Sequence, residues 1–450
     1  MNTPIVDFVK RYKESDPVRL HMPGHKGVSF LGCEPWDITE VVGADVLYSP
    51  NGIIAESEKN ASEIFGSHHS FFSTEGSSLA IKAMLAMATS GYTEDKPLIL
   101  AARNVHKSFV YACALLDLDV EWIIPPQSSS HLCSCHITSE ELDSAINSAF
   151  KKPEAVYLTS PDYLGNILDI SALSNVCHKY DIPLIVDNAH GAYLSFLTPS
   201  LHPLDLGADL CCDSAHKTLP VLTGGAYVHV SKNAPEKFKD ITAFRNMLSV
   251  FASTSPSYLT LQSLDLCNRY ISDKYKEKLS SHIQKLDQLK TTLSEAGYSV
   301  LPSEPLKTVI LCSAYGYTGH EIAKILHDHN IECEFSDNTH IVFMSTPENT
   351  DKELEWLLLS LIEIPPKLPL AISESQAITS CPQKYLSIKD AIFSKRETVS
   401  AEKAVGRICA APSVSCPPAV PVLISGELVE STHVDIFKEN GIFEIEVVIK

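Results

Sequence analysis

The chain has 450 residues, of which 44% are hydrophobic and 20% charged, a composition that fits a globular protein of two or three domains. Its formal net charge of −19 argues against a nucleic-acid-binding protein, because contacts with a phosphate backbone need a basic surface. The charge is compatible with a small anionic ligand, since a local phosphate site needs only backbone N–H groups and a few side chains.

No apolar run near the N-terminus is long enough for a signal peptide, and no other stretch reaches the length of a transmembrane helix. The sequence therefore predicts a cytoplasmic protein without membrane contact. The 13 cysteines are scattered, and several lie in apolar runs, which favours buried free thiols. His131, Cys133, Cys135 and His136 look superficially like a metal cluster, but a second ligand pair at zinc-site spacing is missing, and we expect no metal.

The predicted elements begin with a short helical pattern and a Gly/Pro-rich stretch, which we interpret as an irregular arm over residues 1–45. From about residue 60 to 245, short apolar strands alternate with helices. The strands are predicted over 97–101, 120–124, 155–159, 183–187 and 208–212, and helices over 108–116 and 139–150. This alternation predicts an α/β fold with a mostly parallel sheet that is buried on both faces.

The second half of the chain has a different pattern. A long polar helix is predicted over 265–295, followed by a β-α-β-α pattern over 296–365 and a small Pro-rich segment that ends in a strand over 443–449. We therefore expect four parts. They are an N-terminal arm (1–45), a large domain (46–264), a small α+β domain with its linking helix (265–365) and a C-terminal domain (366–450).

Three chemically rich segments follow strands of the predicted sheet. Their sequences are NVHKS (104–108), DNAHG (187–191) and SAHKT (214–218). Ligands of parallel α/β sheets bind at the carboxyl ends of the strands. We therefore expect these segments to meet in one site.

Lys217 is the most informative residue of these segments. Alone, it would be interpreted as a solvated loop lysine. However, Ser214, His216 and Thr218 surround it with donors suited to a phosphate, and a lysine amine is the nucleophile that a carbonyl cofactor requires. The segment therefore favours a lysine that binds pyridoxal 5′-phosphate.

Asp187 ends the most hydrophobic predicted strand, and it is either a cap or the carboxylate that keeps the pyridine nitrogen of the cofactor protonated. At ~4 Å and an effective dielectric constant of ~20, such a pair gains ~4 kcal/mol. This equals about three pKa units, enough to hold the ring protonated at neutral pH. Its separation from Lys217 fits one strand-helix-strand crossover.

The segment FSTEGSS (72–78) leads into a helical pattern. Gly76, Ser77 and Ser78 would then lie at a helix N-terminus, which is either a capped helix or a phosphate cradle. Beside a lysine and a correctly spaced aspartate, the cradle is favoured. His106 follows another strand, where its ring could lie over the face of the cofactor; a histidine on its own is more often a surface or core residue.

The motifs as a set resemble the Orn/Lys/Arg decarboxylases of PLP fold type I, in particular the short Gram-positive form without the N-terminal wing domain. The segments that carry the resemblance run over nearly the whole chain: HMPGHKG, FFSTEGSS, RNVHKS, SPDYLGN, VDNAHGAY, DSAHKTLPVLTG, TSPSY and SCPPAVPVLISGELV. The resemblance implies that Lys217 holds the cofactor through a Schiff base and that Asp187 faces its pyridine nitrogen. It also implies that His106 stacks on the ring with Ala189 on the opposite face.

The same resemblance implies a phosphate site and a shared active site. The phosphate would contact a set of small and polar residues at the cradle and beside the lysine: Gly76, Ser77, Ser78, Ser214 and His216. His190 matches the histidine that follows the family's aspartate. Thr254 and Ser255 would reach the site of a neighbouring subunit, which implies a homodimer.

Several positions depart from the family's pattern. Asn188 stands where Glu is usual, Glu75 replaces an amide, and Gly224-Gly225 replaces a Gln-Ser type pair. Asp162 also departs from the common motif. Because a cationic side chain needs a carboxylate partner, Asp45 and Asp162 are candidate substrate residues, although both also fit ordinary turn positions.

The function expected from these residues is PLP-dependent α-decarboxylation of arginine, lysine or ornithine, giving a diamine or polyamine precursor. An aminotransferase or a β-eliminating lyase would use the same cofactor residues, because fold does not fix the reaction. A non-catalytic paralogue is a third interpretation, and the intact Lys217 and Asp187 argue against it.

Overall fold

The computed structural model describes residues 1–93, 95–124, 136–371, 381–414 and 421–449. His131, Cys133 and Cys135 lie outside these residues. The first part of the chain forms these elements: α1 (Pro4–Glu14), α2 (Ile53–Phe65), β1 (His69–Ser73), α3 (Gly76–Thr89), β2 (Leu98–Ala102), α4 (Lys107–Leu116), β3 (Asp119–Ile123), α5 (Ser139–Ser148), β4 (Ala155–Thr159), α6 (Ile170–Lys179), β5 (Leu184–Asp187), β6 (Leu210–Asp213), α7 (Ala215–Thr218), β7 (Ala226–Val230), α8 (Glu236–Lys239) and α9 (Ile241–Phe251).

The large sheet has seven strands in the order β1-β7-β6-β5-β4-β2-β3. The strands from β6 to β3 are parallel to one another, whereas β7 is antiparallel to both of its neighbours, β6 and β1. Strands β2, β5, β6 and β7 are buried along their whole length, as expected for a sheet covered by helices on both faces. The predicted α/β class with a mostly parallel sheet is confirmed.

The N-terminal helix is tied to this body by a buried carboxylate. The backbone N–H groups of Ile5 and Val6, in the first turn of α1, donate to Asp265 Oδ2 at 2.9 and 3.0 Å. Ser57 Oγ donates to Asp265 Oδ1 at 2.6 Å. Asp265 is fully buried, and its burial raises its pKa to about 6. It therefore satisfies two N–H groups that a helix start leaves unpaired.

The second part of the chain forms a smaller sheet packed by helices. Its elements are α10 (Tyr258–Ser272), α11 (Tyr275–Glu295), β8 (Ser299–Leu301), β9 (Lys307–Leu311), α12 (Gly319–Asp328), β10 (Phe335–Ser336), β11 (His340–Met344) and α13 (Asp351–Ile362). The four strands are antiparallel in the order β10-β11-β9-β8. Helices α12 and α13 both begin with a capping box, which fixes their first residues.

The prediction of one continuous helix over 265–295 is wrong, because two helices occupy this range. The chain leaves the helical conformation at Asp273, where ψ is −127°, and α10 and α11 are separate helices. The break lets Tyr275 turn inwards, where its ring contacts Phe196 edge-on at 5.4 Å between centroids and is 1% exposed. Side-chain burial at this point outweighs the continuous helical pattern of the sequence.

The third part of the chain is a small unit on the large domain. Its elements are α14 (Ile388–Phe393), β12 (Arg396–Ser400), α15 (Ala401–Ala404), β13 (Ser413–Val414), β14 (Leu423–Ile424), α16 (Ser431–Glu439) and β15 (Glu444–Val448). Strand β12 pairs with β15, and β13 pairs with β14. The four residue ranges proposed for the arm and the three domains stay a prediction. In the described part of the chain, no helix combines the length and the apolarity that crossing a membrane requires.

Candidate active site

A cavity of 520 Å³ lies where β2, β4, β5 and β6 end. Its walls contain most of the residues that the sequence singles out: Gly76, Ser77, Ser78, His106, Asp162, Asp187, Ala189, His190, Ser214, His216 and Lys217. The strand-end segments therefore meet in one place, as the parallel sheet predicts.

Lys217 lies in the single turn of α7, directly after β6. Its Nζ is 2.9 Å from His190 Nε2. Burial lowers the pKa of Lys217, and the charge of Asp187 offsets this effect only in part. Burial also lowers the pKa of His190 well below its usual value, so this imidazole is neutral at pH 7. A larger fraction of the Lys217 amine is therefore uncharged, and hence nucleophilic, than in a solvated lysine.

Asp187 ends β5 and is 2% exposed. Tyr157 on the neighbouring strand β4 donates its hydroxyl to Asp187 Oδ2 at 3.1 Å, and the N–H of Ala189 donates to Oδ1 at 3.2 Å. Burial raises the pKa of Tyr157 well above its usual value, so its hydroxyl remains a donor. These bonds fix the carboxylate in the cavity wall. No local signal in the sequence marks Tyr157, because it looks like any other residue of an apolar strand.

The N-terminus of α3 forms a group of convergent donors. Ser214 Oγ donates to Ser77 Oγ at 2.9 Å, and Ser108 Oγ donates to Ser78 Oγ at 2.8 Å. The N–H groups of the first helical turn lie beside these hydroxyls, and the space next to the Cα of Gly76 is open. A helix N-terminus with several hydroxyls is suited to bind a phosphate.

The backbone carbonyl groups of Gly224 and Gly225 support this cradle through hydrogen bonds. The N–H of Gly76 donates to Gly224 O at 2.7 Å, and His216 Nδ1 donates to Gly225 O at 3.0 Å. Gly224 has φ +93°, and a Cβ at this position would lie 2.9 Å from the carbonyl oxygen of Thr74. A larger residue is therefore excluded at Gly224, which gives this departure from the family's pattern a structural role.

His106 caps α4 and faces the cavity. Its Nδ1 accepts from the N–H of Ser108 at 3.2 Å, so the neutral ring carries its proton on Nε2. Burial lowers the pKa of His106, which favours this neutral form. Its position agrees with a ring that lies against a planar ligand, and the stacking role itself stays a prediction.

Thr254 and Ser255 do not line the cavity of their own chain. Both are exposed, in the segment between α9 and α10. The N–H of Ser253 in this segment donates to Glu75 Oε1 at 2.7 Å. Glu75 therefore holds the segment next to the cradle, and the proposed contact of Thr254 and Ser255 with a neighbouring subunit stays a prediction.

The two carboxylates predicted to bind the substrate are bonded within the chain. Asp45 lies outside the cavity and is 5% exposed, and its carboxylate accepts from N–H groups at the start of α2, including those of Gly52 and Ile54 at 2.8 and 3.0 Å. Asp162 does line the cavity, but its carboxylate accepts from the N–H and the side-chain amide of Asn166 at 2.9 and 2.8 Å. Both carboxylates therefore have turn or cap partners within the chain, and their role in substrate binding stays a prediction.

A third carboxylate, that of Glu334, is linked to the cavity wall through a hydrogen bond. Tyr163 lines the cavity and donates its hydroxyl to Glu334 Oε1 at 2.8 Å. Glu334 is exposed, and its negative charge acts to raise the pKa of Lys217. Glu334 belongs to the small sheet, next to β10, and no local motif marks it.

Asn188 points away from the cavity. Its side-chain amide donates to Asp213 Oδ1 at 2.7 Å, and Asp213 Oδ2 lies 3.1 and 3.2 Å from Nε2 of His202 and of His229. All four side chains are buried, and burial lowers the pKa of His229. The change from Glu to Asn at this position therefore concerns the support of the site and does not alter the cavity wall.

The fold is that of PLP-dependent enzymes of fold type I. Lysine decarboxylase from Francisella novicida superimposes with a TM-score of 0.80 over 99% of this chain and 81% of its own, at 17% identity. Lysine decarboxylase A from Pseudomonas aeruginosa also superimposes with a TM-score of 0.80, over 99% of this chain and 80% of its own, at 16% identity. A NifS-like protein shares the fold at a TM-score of 0.56, 14% identity, over 81% of this chain and 95% of its own.

Residues 3–307 match the family described as Orn/Lys/Arg decarboxylase, major domain. An arginine decarboxylase from Halalkalibacterium halodurans is 29% identical over 98% of this chain and 93% of its own length. An arginine decarboxylase from Bacillus subtilis is 29% identical over 97% of this chain and 93% of its own length. The chain belongs to the Orn/Lys/Arg decarboxylase family, and it is therefore a decarboxylase, one of the lyases.

Proposed function

We propose that this chain is a pyridoxal 5′-phosphate-dependent α-decarboxylase of a basic amino acid and that it forms the corresponding diamine or polyamine precursor. The observation that supports this most directly is the meeting of Lys217, Asp187 and the α3 cradle in one cavity. Relatives named arginine decarboxylase and structural neighbours named lysine decarboxylase favour arginine or lysine as the substrate.

The residues present fit this cofactor. Lys217 Nζ would bind its carbonyl carbon, and Asp187 would face its ring nitrogen. His106 and Ala189 would cover the two faces of the ring. The phosphate would contact the donors at the cradle and beside the lysine: Gly76, Ser77, Ser78, Ser214 and His216. When bound, the cofactor supplies a sink for the electron pair that departing carbon dioxide leaves on Cα.

The protein contributes orientation and electrostatics. Tyr157 holds the Asp187 carboxylate in one orientation through a 3.1 Å bond. His190 Nε2, 2.9 Å from Lys217 Nζ, is placed to exchange a proton with this amine. The buried surroundings of His190 exclude water and strengthen these interactions.

Glu334 is our candidate for recognition of the substrate's distal cation. The carboxylates of Asp45 and Asp162 are occupied by donors of their own chain. Glu334 Oε1 accepts a hydrogen bond from the hydroxyl of Tyr163, which lines the cavity, and the charge of Glu334 acts on the Lys217 amine. A carboxylate bonded to the cavity residue Tyr163 would favour lysine, ornithine or arginine over neutral amino acids of similar length.

We also propose a cytoplasmic homodimer in which Thr254 and Ser255 contact the cofactor site of the partner. Two observations support this. These residues are exposed and lie outside their own cavity, and Glu75 holds their segment beside the cradle.

The purified protein, supplied with pyridoxal phosphate, should be incubated with L-arginine, L-lysine, L-ornithine and the neutral L-norleucine, and the products identified by mass spectrometry. We expect the amine of one basic amino acid with loss of carbon dioxide. An oxo acid product would indicate an aminotransferase, and absence of any product would indicate a non-catalytic paralogue; either result contradicts the proposal.

The cofactor lysine is tested separately by borohydride reduction and intact mass. Lys217→Ala should lose the mass of the trapped cofactor and all turnover. Lys107→Ala is the matched control, because Lys107 lines the same cavity and should leave the trapped mass in place. A Lys217→Ala protein that still carries the adduct would show that another lysine binds the cofactor.

A further inference from the structure

The small C-terminal unit reaches the candidate active site. Ser413, at the start of β13, lines the same cavity as Lys217 and His106. It is half-buried, and among the described residues its hydroxyl has no hydrogen-bond partner. A polar group without a partner in the wall of a binding cavity is available to a ligand.

A buried ion pair holds this unit against the large sheet. Arg103 directly follows β2 and is fully buried, and its Nη1 and Nη2 both lie 2.8 Å from the carboxylate oxygens of Glu427. Glu427 is 4% exposed and also accepts from the N–H of Ile424 at 2.7 Å. Two parallel bonds of this kind fix both position and orientation.

The same arginine contacts the backbone of the two residues that precede β14, the strand that pairs with β13. Arg103 Nε donates to Pro421 O at 3.0 Å, and Nη2 donates to Val422 O at 3.3 Å. Residues 423 and 424 form β14, and Ile424 of this strand pairs with Ser413 of β13. Arg103 is also the residue before Asn104, which lines the cavity. One side chain thus connects the cavity wall of the large domain with the hairpin that carries Ser413.

We propose that Ser413 is a specificity-determining residue that contacts the substrate side chain, and that the Arg103–Glu427 ion pair positions it. This inference rests on the function proposed above. The hydroxyl can both donate and accept, so it suits the amine or guanidinium of a basic side chain. Its small size also leaves room in the cavity, so that the residue at this position limits the length of the substrate.

The test uses the holoenzyme and compares kcat and KM for arginine, lysine and ornithine. Ser413→Leu should raise KM for the preferred substrate at least roughly tenfold, the low end of the effect of one added methylene in a pocket, and should change the ratio of kcat/KM between substrates. The visible absorbance of the bound cofactor should be unchanged. Ser431→Leu is the matched control, because Ser431 is an exposed serine of the same unit that does not line the cavity.

The positioning role is tested by coupling. Arg103→Lys keeps the charge but loses the paired bonds, and it should raise KM while the cofactor absorbance persists. If the ion pair acts through Ser413, the effects of Arg103→Lys and Ser413→Leu on KM will not add in the double variant. Fully additive effects would contradict the positioning role, even if both single variants fold.

Failure of this inference differs from failure of the proposed function. If the wild type decarboxylates a basic amino acid and Ser413→Leu leaves every kcat/KM ratio unchanged, Ser413 does not read the substrate. If the wild type releases no amine from any of the three amino acids, the proposed function fails. Binding of these amino acids, followed as a change in the visible spectrum of the cofactor, then tests Ser413 directly, and equal affinities in wild type and variant would overturn its role.

Discussion

Glu334 carries the sharpest prediction for a single residue. Glu334→Gln removes the charge and keeps the size, so kcat/KM for the preferred basic amino acid should fall roughly 30-fold. A 30-fold loss corresponds to about 2 kcal/mol, the low end of the cost of removing one partner of a charge pair. We use the low end because Glu334 is exposed. Turnover of L-norleucine, if measurable, should change much less. Steady-state kinetics with both substrates is the measurement.

Glu332→Gln is the control for this experiment. Glu332 is another exposed glutamate of the same segment, and its carboxylate contacts His327 at 2.7 Å, away from the cavity. It should have near wild-type kinetics. If Glu334→Gln lowers kcat/KM equally for the basic and the neutral substrate, Glu334 only positions the Tyr163 side chain and does not recognise the charge of the substrate.

The residues that the sequence predicts and those that it misses differ in a physical way. Lys217, Asp187 and His106 follow strands of one parallel sheet, so that the position of each along the chain already places it at the site. Glu334 and Ser413 come from two other parts of the chain. Their approach to the cavity depends on how these parts pack, and no local pattern encodes this packing.

Adding one methyl group to Gly224, in the loop that supports the cradle, should lower both stability and cofactor affinity. Gly224→Ala places a Cβ 2.9 Å from Thr74 O at φ +93°, so the loop has to shift. We expect the unfolding free energy to fall by about 1–3 kcal/mol, the usual cost of such backbone strain. We also expect affinity for pyridoxal phosphate to fall by about tenfold, because the cradle N–H of Gly76 loses its position. Cofactor titration and thermal denaturation measure the two effects.

Gly66→Ala is the control, because it introduces backbone strain as Gly224→Ala does but does not displace the cradle. Gly66 ends α2 with φ +65°, and a Cβ there would meet no atom within 4 Å. This variant should lose about 1 kcal/mol of stability, the cost of a left-handed alanine, with unchanged cofactor affinity. If Gly224→Ala binds the cofactor as well as Gly66→Ala does, the loop does not hold the cradle.

At the level of elements, apolar runs predict most of the parallel strands to within two residues, because burial on both faces leaves a clear pattern. The strand predicted over 155–159 is observed as Ala155–Thr159, and the helix predicted over 108–116 as Lys107–Leu116. The antiparallel strands β1 and β7 were not predicted, because their pairing depends on residues far apart in the chain.

The proposed homodimer makes a prediction for the whole molecule. Lys217→Ala and a Thr254→Ala/Ser255→Ala double variant should each be inactive, whereas a mixture that forms heterodimers should regain up to half of the wild-type activity. In the heterodimer, one site combines an intact Lys217 with an intact partner segment. Differently tagged subunits allow purification of the mixed species. Purified heterodimers without activity above the parent proteins would show that the sites are not shared.

Attachment of the N-terminal helix should make stability depend on pH. The pKa of Asp265 is about 6 in the folded state, whereas an aspartate in an unfolded chain titrates near ~3.9. The contribution of Asp265 to the free energy of unfolding is therefore fully present below about pH 4 and is lost as the pH rises through about 6. Between the two values the loss is about 1.4 kcal/mol per pH unit.

Asp265→Asn removes this titration and keeps an acceptor oxygen for the N–H groups of Ile5 and Val6. Relative to the variant, the wild type should lose stability between pH 4 and pH 6, and the difference should stay constant above about pH 7. Chemical denaturation of both proteins at several pH values in this window is the measurement. Parallel stability curves would mean that Asp265 does not titrate in this range.

The hairpin between β6 and β7 has a consequence for how this protein can change in evolution. Lys217 and the Gly224-Gly225 support of the cradle lie on the same connection, because β7 returns antiparallel to β6 without an intervening crossover. An insertion or deletion within residues 214–225 would move the amine and the support together. We therefore expect homologous chains to vary in length in the other connections of the large sheet and to keep this one constant.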